Sequence, residues 1–193
     1  MPKLSIVIAS TRPGRASVPI AEWFAARART HAAFEVEVID LAEVGLPFMD
    51  EPHHPMLRRY VHDHTKAWSA RVDATDAFVF VTPEYNSGFP APLKNAIDYL
   101  HAEWQHKPVA FVSYGGVSAG TRAVQMLKQV VTTLRMVPLV EAVNIPFHPQ
   151  FIDEAGTVQP NDVMEQAAKA VLDELAVIEA GLRPRRTEVR AAA

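Results

Sequence analysis

The chain has 193 residues, 49% of them hydrophobic and 21% charged, the profile of an ordinary globular protein. Nineteen basic against 22 acidic residues leave a formal charge of −3, which excludes a protein that grips nucleic-acid backbones through a basic face. Cysteine is absent, which excludes disulfides, thiolate catalysis, cysteine-ligated zinc and iron–sulfur clusters. No secretory signal is visible, and the apolar runs fall far short of the ~20 residues that span a bilayer. A cytoplasmic protein with no membrane or nucleic-acid partner is expected.

The elements alternate along the chain. Residues 4–8 (LSIVI) read as a strand, and residues 17–31 as a helix with Ile20, Trp23, Phe24 and Ala28 on one face. Pro19 is tolerated in that helix's first turn. Residues 34–39 (FEVEVI) alternate polar and apolar, as an edge strand does. A helix is predicted over 57–72, then a continuously apolar strand at 77–81 (AFVFV), a helix at 91–99 and a strand at 109–113 (VAFVS). Continuous apolar strands are those covered on both faces, in the middle of a parallel sheet. A helix at 121–134, a strand at 137–140 and a last helix at 162–180 complete the order, with Gly181 at the expected helix stop and Pro184 beyond. This rhythm predicts one α/β domain over residues 1–182, a five-stranded parallel sheet between two helical layers. Residues 183–193 (RPRRTEVRAAA) lack periodicity and read as a disordered basic tail.

In such a sheet, ligands bind beyond the carboxyl ends of the strands, so three loops carry the information. The first, residues 9–17 (ASTRPGRAS), gathers hydroxyls, a glycine and two arginines before a helix, where free amides and the positive dipole end favour an anion. It contains neither G-x-G-x-x-G nor G-x-x-x-x-G-K-[ST], so a phosphate is expected without the usual dinucleotide or triphosphate signature. The second, residues 82–99 (TPEYNSGFPAPLKNAIDY), is stiffened by Pro83, Pro90 and Pro92, bends at Gly88, and presents Tyr85 and Asn86. The third, residues 113–120 (SYGGVSAG), has two adjacent glycines that let backbone approach a flat ring.

Taken together, S-T-R-P-G-R-A-S, T-P-E-Y-N-S-G-F-P-A-P-L-K-N-A-I-D-Y and S-Y-G-G-V-S-A-G resemble the NADPH-dependent FMN reductase family, a flavodoxin-like group that includes chromate, quinone and azo reductases. The resemblance runs over residues 3–140 in the family's order. It implies a flavodoxin-like three-layer sandwich that binds FMN and takes hydride from NADPH or NADH, then passes electrons to a small-molecule acceptor. It implies that Ser10, Arg12 and Ser17, with backbone near Val18, hold the FMN phosphate. Pro83, Glu84, Tyr85 and Asn86 would edge the ring and ribityl chain, while Ser113, Gly115 and Gly116 would lie at its pyrimidine side. No side-chain acid or base and no metal is implied, since the flavin carries the chemistry. A homodimer or homotetramer is implied, assembled through residues 91–101 and the preceding loop, with Lys94 reaching across and with Phe89, Tyr99 and Trp104 joining the interface if they are exposed in the monomer. The family has Gly-Ser where this chain has Ala9-Ser10, and often Ser-x-Asn where it has Ser17-Val18-Pro19.

Rival readings exist. Residues 116–120 (GVSAG) match the G-x-S-x-G elbow of α/β-hydrolases, with Ser118 as nucleophile and Glu141 and His148 as the available partners. A non-catalytic flavodoxin-like electron carrier is another, although carriers of that kind are far more acidic than −3. His53, His54, His62 and His64 fall within twelve residues. With His62 and His64 two apart on the predicted helix, the pair points to different faces and no metal is expected.

Overall fold

The computed structural model describes residues 1–191. Its order is β1 (Lys3–Ile8), α1 (Ser17–His31), β2 (Glu35–Asp40), α2 (Leu41–Val44), α3 (Asp63–Asp73), β3 (Ala77–Pro83), α4 (Ala91–Asp98), β4 (Pro108–Gly115), α5 (Thr121–Thr133), β5 (Val137–Pro146) and α6 (Asp162–Ala191). Short 3₁₀ turns at Pro55–Leu57, Ala102–Trp104 and His148–Phe151 join them. All strand pairs are parallel, in the order β2-β1-β3-β4-β5. This is the flavodoxin-like doubly wound sheet, and β2 lies at its edge as its alternating sequence predicts.

Side-chain alternation sorts the strands' apolar residues into two cores. Leu4, Ile6, Val79, Val81, Ala110 and Val112 point to one face, under Ile20 and Phe24 of α1 and Val171 and Leu172 of α6. Phe78, Phe80 and Phe111 point to the other, against Trp68 of α3, Leu93 and Ile97 of α4, Leu127 of α5 and Trp104. Each such large side chain, once buried, contributes roughly 1.5–3 kcal/mol. No helix among the described residues is long and apolar enough to cross a membrane.

Three element boundaries differ from the sequence reading. The helix predicted over 57–72 begins only at Asp63, because Arg58 adopts φ 50° and the Glu51 carboxylate accepts the Val61 and His62 amides. Strand β5 runs on to Pro146 past a register shift. Helix α6 continues through Gly181 and Pro184 to Ala191, so residues 183–191 are not a disordered tail; residues 192–193 lie outside the described residues. The interruption at Pro184 is offset by charge pairing: buried Arg186 bonds Glu179 and Asp76 at 2.7 Å each, and Arg183 also pairs with Glu179.

Candidate functional site

The chain leaves β1 toward β2 on one side and reaches β3 on the other, so the carboxyl ends of β1 and β3 diverge to form a crevice. The loops after β1, β3 and β4 meet there, tied by side chains.

In the first loop Ser10 is fully buried, and its hydroxyl lies 2.7 Å from the Tyr85 phenol of the β3 loop. The Ser10 hydroxyl also accepts the Arg12 amide. Helix α1 starts after Ala16, with no side-chain cap on its free amides. Ser17 is the first helical residue, and its buried hydroxyl makes no well-aligned hydrogen bond; the Nε of Arg15, also buried, makes none either. An uncapped helix start, with the Ser17 hydroxyl facing the Tyr114 phenol and the Arg15 Nε buried without a bond, fits a phosphate monoester. Val18 follows in the same turn. Arg12 is exposed, and no hydrogen bond or ion pair among the described residues engages its guanidinium. Arg15 is different: its guanidinium is paired with Asp40.

Strand β3 ends at buried Pro83, opposite Tyr114 of β4. The bend that follows is made by Asn86 and Ser87, both left-handed at φ 50° and 66°, closed by paired Tyr85–Gly88 backbone bonds of 2.9 Å. Gly88 is not the left-handed residue; Asn86 tolerates the conformation through its short amide side chain. The Glu84 carboxylate is held by Arg122 of α5.

In the third loop, the fully buried Ser113 hydroxyl lies 2.8 Å from the Ala119 carbonyl and 2.9 Å from Asn144 Oδ1, so it braces the turn from below. Gly116 opens onto free space, whereas a Cβ on Gly115 would sit 3.3 Å from the Gly120 amide. The residue that most requires glycine is Gly120: its φ is +82°, and a Cβ would come within 2.9 Å of Ser113 Cβ. Beyond β5, Phe147 and His148 fold onto this loop, the His148 ring 4.8 Å from Tyr114 and its Nδ1 3.4 Å from the Gly115 carbonyl. Tyr114 was not singled out by its sequence context, yet it lies beneath the start of α1, facing Ser17. Burial pushes its phenol up to about 12, so it is neutral.

The rival sites are not assembled. Ser118 accepts a hydrogen bond from Arg122, and His148 lies against Gly115, so no histidine activates the serine of G-x-S-x-G. His62 precedes α3 instead of lying on it, which lets its ring stack on His64 at 5.1 Å; both lean on Asp50. No group of metal-holding side chains occurs among the described residues. The N-A-I-D-Y stretch serves the loop after α2. Asn95 donates to the Pro47 carbonyl and accepts the Met49 amide, and the Tyr99 phenol reaches Pro47 and Asp50. Tyr99 and Trp104 are buried core residues and not interface aromatics. Lys94 pairs within its own helix, with Asp98.

The model of the family described as NADPH-dependent FMN reductase matches residues 2–150. The chain belongs to this family. An NAD(P)H-dependent FMN reductase of Schizosaccharomyces pombe is 41% identical over 149 residues, 75% of this chain and 74% of its own. An NAD(P)H:quinone oxidoreductase of Solanum tuberosum is 32% identical over half of each chain. The fold is that of FerB, an NAD(P)H:(acceptor) oxidoreductase flavoenzyme of Paracoccus denitrificans, at a TM-score of 0.69 and 21% identity, covering 95% of this chain and 98% of that one. As a family member, the protein is an FMN- and NAD(P)H-dependent oxidoreductase.

Proposed function

We propose that this reductase holds FMN with its phosphate at the head of α1 and its ring over the turn at Gly116, and reduces quinone-like acceptors. The observation that carries the reading is the uncapped start of α1, with the exposed Arg12 guanidinium, engaged by no hydrogen bond or ion pair among the described residues, in the loop that leads into it. When bound, FMN supplies the two-electron chemistry between NAD(P)H and a quinone, azo compound, metal oxyanion or second flavin. The protein's part is placement. Ser10, Ser17, Arg12 and the amide of Val18 grip the phosphate; Pro83, Tyr85 and Asn86 set one edge of the ring; Gly115 and Gly116 bring backbone to its other side. Exposed Val117, Phe147 and Tyr85 rim the crevice and suit an apolar planar acceptor.

Arg12→Ala tests the placement. It removes a charge-assisted hydrogen bond worth roughly 1.5–3 kcal/mol, so FMN binding weakens on the order of ten- to a hundredfold. Riboflavin, which lacks the phosphate, keeps its affinity. Equal losses for both ligands would refute the assignment.

The same reading takes the enzyme as a cytoplasmic homodimer. Apolar grooves of about 490 and 430 Å³ flank α4, beside exposed Phe48 and Met56. A two-fold contact there lets Lys94 and Asp98 exchange partners between copies. Sedimentation at micromolar concentration should give a dimer, and Phe48→Asp should weaken it.

A further inference from the structure

We propose that Arg122 is a positioning residue of the flavin site: paired with Glu84, it fixes the gap between the β3 and β4 loops and cancels a negative charge beside the ring. The proposal rests on the reading of the crevice as an FMN cradle, and it adds a residue outside all three loop motifs.

Glu84 is a loop residue, yet its side chain is only 5% exposed. A carboxylate so enclosed needs partners, and both of its oxygens have them. Arg122 Nε donates to Oε1 at 2.6 Å, Nη2 lies 2.5 Å from the same oxygen, and the Arg122 amide donates to Oε2 at 3.2 Å. The amide bond matters because α5 starts after Gly120 with no side-chain cap of its own. Glu84 therefore caps α5 from another loop, at the end where the helix dipole favours negative charge. Arg122 Nη2 also donates to Ser118 Oγ at 3.0 Å, so one guanidinium ties the Glu84 loop to the middle of the glycine turn. Burial alone would raise the Glu84 carboxyl, but hydrogen bonds from Arg122 and Ser118 and the Arg122 charge outweigh it and hold the carboxyl below its ordinary range.

The pair stands where the ring edge would lie. The Glu84 amide donates to the Tyr114 carbonyl at 3.3 Å, and Glu84 Cβ is 3.8 Å from where a Cβ on Gly115 would be. Reduction adds negative charge to the ring, so an uncancelled carboxylate here would oppose it. At a separation of several ångströms and a surface-like dielectric, one unit charge changes the ratio of affinities for reduced and oxidised FMN by about tenfold. For a two-electron couple that is about 30 mV.

The test measures the affinity of the apo-protein for oxidised FMN and for riboflavin, and the midpoint potential of bound FMN. It compares the parent protein, Arg122→Met, Glu84→Gln, the double variant and Arg122→Lys. Arg122→Met should weaken both ligands by the same factor, since the gap sets the ring and not the phosphate, and should lower the potential by the tenfold ratio. Glu84→Gln should raise the potential, and the double variant should return it to within about threefold in that ratio. Lysine restores the charge without the fork, so it should recover the potential but only part of the affinity. If Arg122→Met fails to fold, Glu84→Gln and the double variant carry the test. Potentials that stay put, or shift the same way in both single variants, would overturn the proposal. A parent protein that binds neither flavin would overturn the FMN reading itself, and the proposal with it.

Discussion

The two edges of the sheet handle polar groups in opposite ways. At the edge where the strands begin, charges are spent on one another. Asp76 accepts the Lys3 amide and an Arg186 nitrogen, Glu179 takes another Arg186 bond, Arg186 reaches the His106 carbonyl, and Lys107 donates to the carbonyls ending α3. At the edge where the strands end, side chains link one loop to another, and at the head of α1 the Arg15 Nε stays buried without an acceptor. Satisfied networks stiffen a fold; donors arranged and left open cost stability that only a ligand returns. The contrast is one of degree, since the His106 Nε2 at the first edge is also buried without a partner.

The largest expected effect breaks the satisfied edge. Arg186→Met leaves Glu179, 1% exposed, with the half-exposed Arg183 as its remaining partner, and leaves Asp76 without the guanidinium. Removing one member of a buried pair costs about 3 kcal/mol, with Asp76 still partly solvated, which at this chain length lowers Tm by about 6–12 °C. Thermal unfolding should show that loss while FMN affinity stays unchanged; a parallel loss of FMN binding would mean that the two edges are coupled.

A smaller change sharpens the other edge. Ser17→Ala removes a buried hydroxyl whose contact with the neutral Tyr114 phenol is poorly aligned, so the Tm of the apo-protein should fall little. FMN affinity should drop about tenfold with riboflavin unaffected, because the lost bond is to a charged phosphate. A destabilised apo-protein with equal loss of both ligands would make Ser17 an ordinary core residue.

The smallest effect concerns alkaline pH. The Tyr114 phenol rises from its ordinary 10.0 to about 12, with burial as the main cause. Its contribution is therefore fully present below pH 10 and is lost as pH climbs from 10 toward about 12. Denaturant unfolding at pH 9 and pH 11 should show a shallower loss for Tyr114→Phe than for the parent protein. Equal slopes would remove Tyr114 from the account.

Much of this was legible along the chain. The continuous apolar runs at β3 and β4 and the alternation at β2 reveal central and edge strands, because burial on two faces or one dictates residue type. The hydroxyl- and arginine-rich turn before α1 points to the proposed anion site through helix-end chemistry alone. The end of α6 was not legible. Gly181 and Pro184 are local stop signals, while the ion pairs that override them join residues up to 110 positions apart. Glu84 misleads in the same way, since its neighbours put it at the ring edge while its side chain answers to Arg122, 38 residues on.

Period, capping and turn chemistry act over a few residues, so the sequence by itself determined the order of the strands and longer helices and the sheet class, and it pointed to the three loops proposed to hold the cofactor. Which face a loop side chain takes, which donor is left unsatisfied and which arginine is already spent are different matters. They depend on groups brought together across tens of residues by the packing of helices on the sheet, and only the tertiary structure decided them. Arg12 and Arg15 illustrate the division: they stand three residues apart in one motif, which assigns Arg12 to the phosphate and leaves the part of Arg15 open. The fold places Asp40 of β2 beside Arg15 and leaves the Arg12 guanidinium exposed, because parallel pairing of β2 with β1 brings Asp40 level with Ile8 at the foot of the loop.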